Sequence, residues 1–177
     1  KGPHALRFGT GLGVTLNFVP AKLRFSESAA VYARMSNGFE TNGEVFRNEG
    51  RVGVRGKNQD LSLFGSWSQG NDYTSGNGQT IQSDFNRGSF GGQFGFKLSE
   101  SDQLRLSAIY NITRYADFPA LAMDLRKADT WLFNARYDKS FTRAHLSIWN
   151  TTVFGSFVTP RMDNLPKPLD HIPRNAQ

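Results

Sequence analysis

Cysteine is missing from all 177 residues. This excludes a disulfide framework and a thiolate metal site from the stretch, and it fits passage through an oxidising periplasm. Long apolar runs are missing too: no window of 18 apolar residues exists, so no transmembrane helix can be drawn. Charge of one sign never accumulates. The 21 Lys and Arg against 15 Asp and Glu leave a net +6, but Arg51, Arg55, Arg105 and Arg136 are scattered singly. A nucleic-acid surface needs basic residues clustered with stacking aromatics, and none is found. The 3 histidines, His4, His145 and His171, lie too far apart for ligand spacing and read as single hydrogen-bonding residues. No Ser/His/Asp set and no paired carboxylates stand out. We expect no catalytic residue, no resident cofactor and no enzyme.

What is abundant is alternation. Between Leu104 and Tyr137 two period-two runs flank a polar insert. Leu104, Leu106, Ala108, Tyr110 and Ile112 share one face of the first, and Trp131, Phe133, Ala135 and Tyr137 one face of the second. Ile109 and Leu132 are the exceptions. A period of two is a strand, and about 9–12 residues with terminal aromatics suits a membrane-crossing one.

The same unit recurs along the chain. Ala29, Val31, Ala33 and Met35 form a first strand, closed by an Asn42-Gly43 turn. Val52 and Val54 alternate with Arg51, Gly53 and Arg55 in a second. Leu61, Leu63, Gly65 and Trp67 oppose Ser62, Ser66 and Ser68 in a third, with Phe64 out of pattern. Phe90, Gly92, Phe94, Phe96 and Leu98 mark a fourth after the polar insert 69–88. The runs at 104–112 and 131–137 are the fifth and sixth. A seventh runs from Ala144 to about Phe157 with Leu146, Ile148 and Phe154 on one side. The tail from Val158, with Pro160, Pro166, Pro168 and Pro173, is expected to leave the sheet.

Connections after strands two, four and six are about five residues, and those after three, five and seven run to about 14 to 20; the connection after strand one is the exception, being short. Short turns at one end and long loops at the other mark an outer-membrane barrel, with turns periplasmic and loops extracellular. The mean hydropathy of −0.48 agrees, since only alternate residues meet lipid. Trp67, Tyr73, Tyr115 and Trp131, at loop-side ends, are expected to form an aromatic girdle. The fold class is therefore all-β, an antiparallel transmembrane β-barrel wall of about seven strands. Seven strands leave two open edges, which no bilayer tolerates, so further strands are expected beyond Gln177. Residues 1–20 differ, with Gly9, Gly11 and Gly13 before the run Val14 to Val19. A dinucleotide fingerprint would need a following helix, and none is predicted.

Three segments resemble the TonB-dependent outer-membrane receptors. Lys1-Gly2-Pro3-His4-Ala5-Leu6-Arg7-Phe8-Gly9, then Gly11, Gly13, Thr15 and Asn17, is similar to the closing segment of that family's plug domain. Asp117-Phe118-Pro119-Ala120-Leu121-Ala122-Met123-Asp124-Leu125-Arg126 with Asp129-Thr130 resembles an early extracellular loop of a subgroup. Arg161-Met162-Asp163-Asn164 resembles a further loop of the same subgroup, which includes copper-uptake receptors. Val14 stands where the plug motif has a second glycine. Pro160 stands where copper-type members have a histidine, which counts against copper.

The resemblance implies residues 1–20 as the C-terminal end of a plug and 21–177 as the first part of a barrel with 22 strands in the family. It implies energy-coupled uptake of a nutrient such as a metal ion, metal chelate, haem or cobalamin-like ligand across the outer membrane of a Gram-negative bacterium. The implied partners are TonB, through a segment outside this chain, outer-membrane lipid or lipopolysaccharide, and the small ligand. Asp117, Met123, Asp124, Arg126, Met162, Asp163 and Asn164 become candidate ligand contacts. For the acidic and basic loop residues the alternative is pairing with one another. No metal site is assigned; Met123 and Met162 are weak candidates as soft Cu(I) ligands, against plain loop packing. The alternatives are a passive porin or adhesion barrel, which would have no plug-like segment, and a soluble β-sheet module, which would need a second layer over its apolar face. With two open edges the isolated chain is expected not to fold alone. Diluted from denaturant into buffer it should aggregate in size-exclusion chromatography, and a compact cooperative monomer would sink the barrel reading.

Overall fold

The computed structural model describes residues 23–143, 146–165 and 175–176. The plug-like segment 1–20 and all three histidines lie outside them. Among the described residues there are ten strands: β1 (Ala30–Glu40), β2 (Val45–Arg55), β3 (Gln59–Gly70), β4 (Tyr73–Thr74), β5 (Thr80–Ile81), β6 (Phe85–Lys97), β7 (Asp102–Ala116), β8 (Asp124–Arg143), β9 (Leu146–Asp163) and β10 (Asn175–Ala176). One sheet runs β1-β2-β3-β6-β7-β8-β9-β10, with every neighbouring pair antiparallel. The β4–β5 pair is a small hairpin inside the β3–β6 connection.

The register stacks like with like. Val31, Val54, Leu61, Phe94, Leu106, Ala135 and Val153 lie opposite one another in one rung across seven strands. Two residues toward the loops come Ala33, Val52, Leu63, Gly92, Ala108, Phe133 and Gly155, and then Met35, Gly50, Gly65, Phe90, Tyr110, Trp131 and Phe157. With flanking rungs at Phe96–Leu104–Tyr137 and Trp67–Gly88–Ile112, this face is four spacings of about 7 Å tall along the strands. Tilted as barrel strands are, that matches an apolar band of about 25 Å. No second layer covers it among the described residues: Val31 is 79% and Val153 67% exposed. The soluble two-layer alternative required such a cover.

The other face is polar, and burial follows it. Asp60, Ser62, Gln93, Asp124, Asp163 and Asn164 are buried, against only Val45 and Ala116 among the described apolar residues. The three breaks in the sequence alternation fall together here. Phe64, Ile109 and Leu132 share the rung of Arg34, Arg51 and Gly91, making one apolar stripe inside a polar wall. A cavity of about 550 Å³ lies along it, lined by Arg34, Glu49, Arg51, Phe64, Gln93 and Ile109 among others.

Several strand limits differ from the sequence reading. β7 extends to Ala116 and β8 begins at Asp124, so the insert between them is 117–123. The period-two signal fades there because both faces are polar above the apolar band. β9 continues through Pro160 to Asp163, whereas the sequence predicted an exit at Val158. Pro160 lies opposite Ala128 on β8, and along most of β9 the far side has no neighbour among the described residues, so a missing N–H costs no ladder bond there. Ile148 and Phe154 lie on the polar-face rungs, opposite Ser140 and Asn134, while Val153, Gly155 and Phe157 continue the apolar face. Apolar residues on both faces of β9 had made its phase ambiguous. The girdle also differs: Tyr110 stacks on Trp131 at 4.7 Å, Trp131 on Phe133 at 5.8 Å, and Phe133 meets Phe157 edge-on at 6.3 Å. Trp67 packs beside Phe90. Tyr73 belongs to the small hairpin and Tyr115 closes β7, so neither joins this belt.

One contact ties the chain before β1 to the polar face. The Asp60 carboxylate accepts the Tyr32 hydroxyl at 2.9 Å through Oδ1 and the Arg24 N–H at 2.8 Å through Oδ2, and the Ser26 N–H donates to the Gly56 carbonyl at 3.1 Å. Tyr32 reaches Asp60 by lying over Gly53, and Leu23 lies where a side chain at Gly95 would stand. Gly53→Ala would place its Cβ against the Tyr32 ring and 2.7 Å from the Leu61 carbonyl oxygen, which cannot rotate away. We expect this substitution in the intact protein to cost roughly 1–3 kcal/mol, read as a lower midpoint for loss of the compact band in heat-modifiability electrophoresis. An unchanged midpoint would remove the argument.

Candidate functional site

The ends of the sheet are unequal. At one end β2 meets β3 across 56–58, β6 meets β7 across 98–101, and Arg143 of β8 lies opposite Leu146 of β9; at the other end lie the connections 41–44, 71–84 and 117–123. The longer connections are tied to each other through backbone groups. The 41–44 turn needs left-handed residues, Gly43 at φ 81° and Glu44 at φ 46°. Its Gly43 carbonyl accepts the Asn71 N–H at 2.7 Å. Asn42 then pairs twice with the backbone of Thr74, accepting its N–H and donating to its carbonyl, both at 2.9 Å. Here a side-chain amide mimics a strand partner, holding the small hairpin against the β1–β2 turn.

The 71–84 and 117–123 connections meet where the Asp117 N–H donates to the Asp84 carbonyl at 2.9 Å. Asp124 Oδ1 accepts the Phe118 N–H at 2.9 Å and closes the second loop on itself. Asp124 lies opposite Asp163. A β-bulge between Leu125 and Lys127 leaves Arg126 as an extra residue on β8, beside Tyr115, which holds the strained value φ 50°. Bulges re-aim side chains. Arg126 Nε donates to Asp163 Oδ1 at 2.8 Å, and that oxygen also takes the Leu165 N–H at 3.2 Å.

Five of the seven sequence-predicted contacts, Asp117, Asp124, Arg126, Asp163 and Asn164, thus collect at one place. Asp124 at 1%, Asn164 at 3% and Asp163 at 7% exposure are part of the protein's own framework, whereas Asp117 and Arg126 are half-buried. Asp117 Oδ1 and Arg126 Nη2 are enclosed without a hydrogen-bond partner, so the cluster offers one acceptor and one cationic donor to a polar group arriving between the loops. Met123, the last residue of the 117–123 connection, and Met162 on β9, both half-buried, directly precede the facing residues Asp124 and Asp163. Among the described residues no three His, Cys, Asp or Glu side chains are placed to hold a metal. The loops at 116–129 and 158–170 were expected to be free of the sheet; instead 124–129 and 158–163 are strand, which is why the acidic residues are buried. Asp84, the Asn42–Thr74 tie and the β4–β5 hairpin were missed. Only the hairpin had a signal, Asn77-Gly78, and Gly78 does take φ 82°.

No protein-family profile matches the chain, and no curated protein does. Among solved structures the fold is similar to that of a copper transporter, OprC, with a TM-score of 0.69 over 80% of this chain at 20% identity. The chain spans 22% of that protein. This likeness is one of fold.

Among the described residues, Asp117 carries the one loop carboxyl with a strongly raised pKa, about 6, first because burial disfavours its charge and then because Asp84 and Asp124 repel it; Arg126 partly offsets this. The folded loop therefore binds a proton more tightly than an unfolded carboxyl near 3.9. The stabilisation from that proton is complete below about pH 4 and is lost as pH rises through 6. Amides of 117–123 should accordingly be better protected from hydrogen exchange at pH 5 than at 7.5, after correction for intrinsic rates, and Asp117→Asn should flatten the difference. Equal protection in the wild type at both pH values would refute it.

Proposed function

We propose that this chain forms part of the wall of a TonB-dependent outer-membrane receptor, taking up a small nutrient, metal ion or metal chelate by energy-coupled transport. One observation carries the reading: seven antiparallel strands hold apolar rungs in unbroken register on an uncovered face, with polar and buried charged residues on the other. Such a sheet satisfies its backbone in lipid only as part of a closed barrel. The fold likeness to a copper transporter supports a transporter; the plug-like residues 1–20 support gating by a plug over a passive pore. On this reading the membrane is the outer membrane, the long connections face outward, and Asp117, Arg126, Met123 and Met162 are the loop groups nearest an arriving ligand, with Asp124, Asp163 and Asn164 supporting them.

The test is uptake of labelled metal chelates by cells producing the intact protein, with and without TonB. Uptake that requires TonB supports the proposal. Uptake that persists undiminished without it identifies a passive pore and overturns it.

A further inference from the structure

On the polar face two arginines stand directly opposite each other. Arg34 of β1 is the register partner of Arg51 of β2, about 5 Å away between Cα atoms. Like charges facing across strands destabilise a sheet, so the pair calls for a compensating anion. Among the described residues none is engaged. Arg34 makes no hydrogen bond or ion pair there. Arg51 reaches the Ser62 hydroxyl, Nη2 to Oγ at 2.8 Å, and its Nε is enclosed without a partner.

The other charges of this face are committed elsewhere or add to the surplus. Arg47 pairs with Glu40, Arg136 with Asp138 and Lys97 with Glu100. Asp60, opposite Arg55, takes the Tyr32 hydroxyl and the Arg24 N–H, and Arg55 lies over the Tyr32 ring at 4.5 Å. Arg87 lies over the Phe85 ring at 4.8 Å, and Arg105 faces Arg136; neither makes an ion pair among the described residues. The acids of the loop end, Asp84, Asp117, Asp124 and Asp163, stand beyond the rung of Arg47 and Arg87. Glu49, one rung from Arg51, is the carboxylate nearest in register, and it pairs with neither arginine. Two cations against it leave a positive surplus beside the 550 Å³ cavity, which Arg34, Glu49, Arg51, Phe64, Gln93 and Ile109 help to line. A pocket of that volume takes a small organic molecule. Adjacent guanidinium groups match carboxylate oxygens, and Phe64 and Ile109 offer an apolar surface next to them.

We propose that Arg34 and Arg51 bind a small organic dianion on the inner wall, its two carboxylates between the guanidinium groups and a flat apolar body against Phe64 and Ile109. The site rests on the reading of the chain as a transporter wall and narrows its solute: an organic anion, free or as the chelator of a metal, in place of a bare metal cation, which this surplus charge repels.

The test is isothermal titration calorimetry of the intact protein in detergent, with benzene-1,2-dicarboxylate as the probe. Wild type should bind it, and Arg34→Gln and Arg51→Gln should each weaken binding about tenfold. Glu49→Gln should tighten it, and Lys57→Gln, in the β2–β3 turn, should leave it unchanged. The neutral dimethyl ester should not bind, and equimolar inorganic phosphate should not displace the probe. Arg34 has no partner among the described residues to lose, so Arg34→Gln is the variant that keeps its fold. Without the probe its thermal midpoint should rise, because a repulsion is removed. Absence of binding to wild type, equal affinity in Arg34→Gln, or displacement by phosphate overturns the site. A lowered midpoint for Arg34→Gln overturns it too, by identifying a carboxylate of the protein itself as the occupant. The titration contains no TonB, so its failure leaves energy-coupled uptake to its own test, and uptake without TonB leaves the anion site standing.

Discussion

In hydrocarbon a backbone N–H or C=O group has no water to turn to, so every strand must find both neighbours. That constraint accounts for the regularity of the sheet. From β1 to β8 the register runs without a shift, and the irregularities between β8 and β9 fall near their ends, at Leu125/Lys127 and Ser140/Arg143. A bulge in the middle of the apolar band would expose an unpaired amide to lipid; at Arg126 the freed groups lie among loops and charged side chains.

With the backbone fixed, side chains sort by solvent. The outward face has little to choose between apolar residues, so size varies freely along a rung, as Gly155, Phe133, Ala108 and Gly92 show. The polar face is more demanding. Asp60 is buried, yet it is fully engaged by the Tyr32 hydroxyl and the Arg24 N–H, and Arg136 answers Asp138 at 2.8 Å. Glycine is used where a side chain must lie flat across a neighbouring strand: Tyr32 over Gly53, Leu23 over Gly95. These notches bring the segment before β1 onto the polar side of the wall, so the chain meets the sheet on the side that a barrel would enclose.

The alternation was legible wherever one face was apolar, which is why the strands around Val52, Leu63, Phe94, Leu106 and Phe133 were found with their faces correct. It failed at the loop end of β8, where Arg126, Lys127 and Asp129 give no contrast, and along β9, where Ile148 and Val153 both look like face markers. The exceptions Phe64, Ile109 and Leu132 each looked like noise in one strand; only register shows them to be a single stripe. The acidic and basic residues of the candidate site could be named from the sequence, but not their roles. Arg126 and Asp163 are 37 residues apart, and nothing local announces that a bulge will turn one toward the other.

Burial then divides that cluster in two. A carboxylate at 1% exposure, as at Asp124, loses its solvation unless the protein replaces it, and Asp124 takes the Phe118 N–H in return. Such a group is committed to holding the loop. Asp117 is placed differently, between two loops that are joined by its own N–H, with a carboxyl oxygen left unmatched. Its charge is opposed by the very acids that frame the loop, so the carboxyl that a ligand could reach is also the one whose ionisation strains the junction. A cation or donor brought to Asp117 would relieve that repulsion, and the relief would be felt in both connections at once because the Asp117–Asp84 bond joins their backbones. On the proposed reading, binding and loop order would share one group, while the wall beneath, locked by its register, has no comparable freedom to respond.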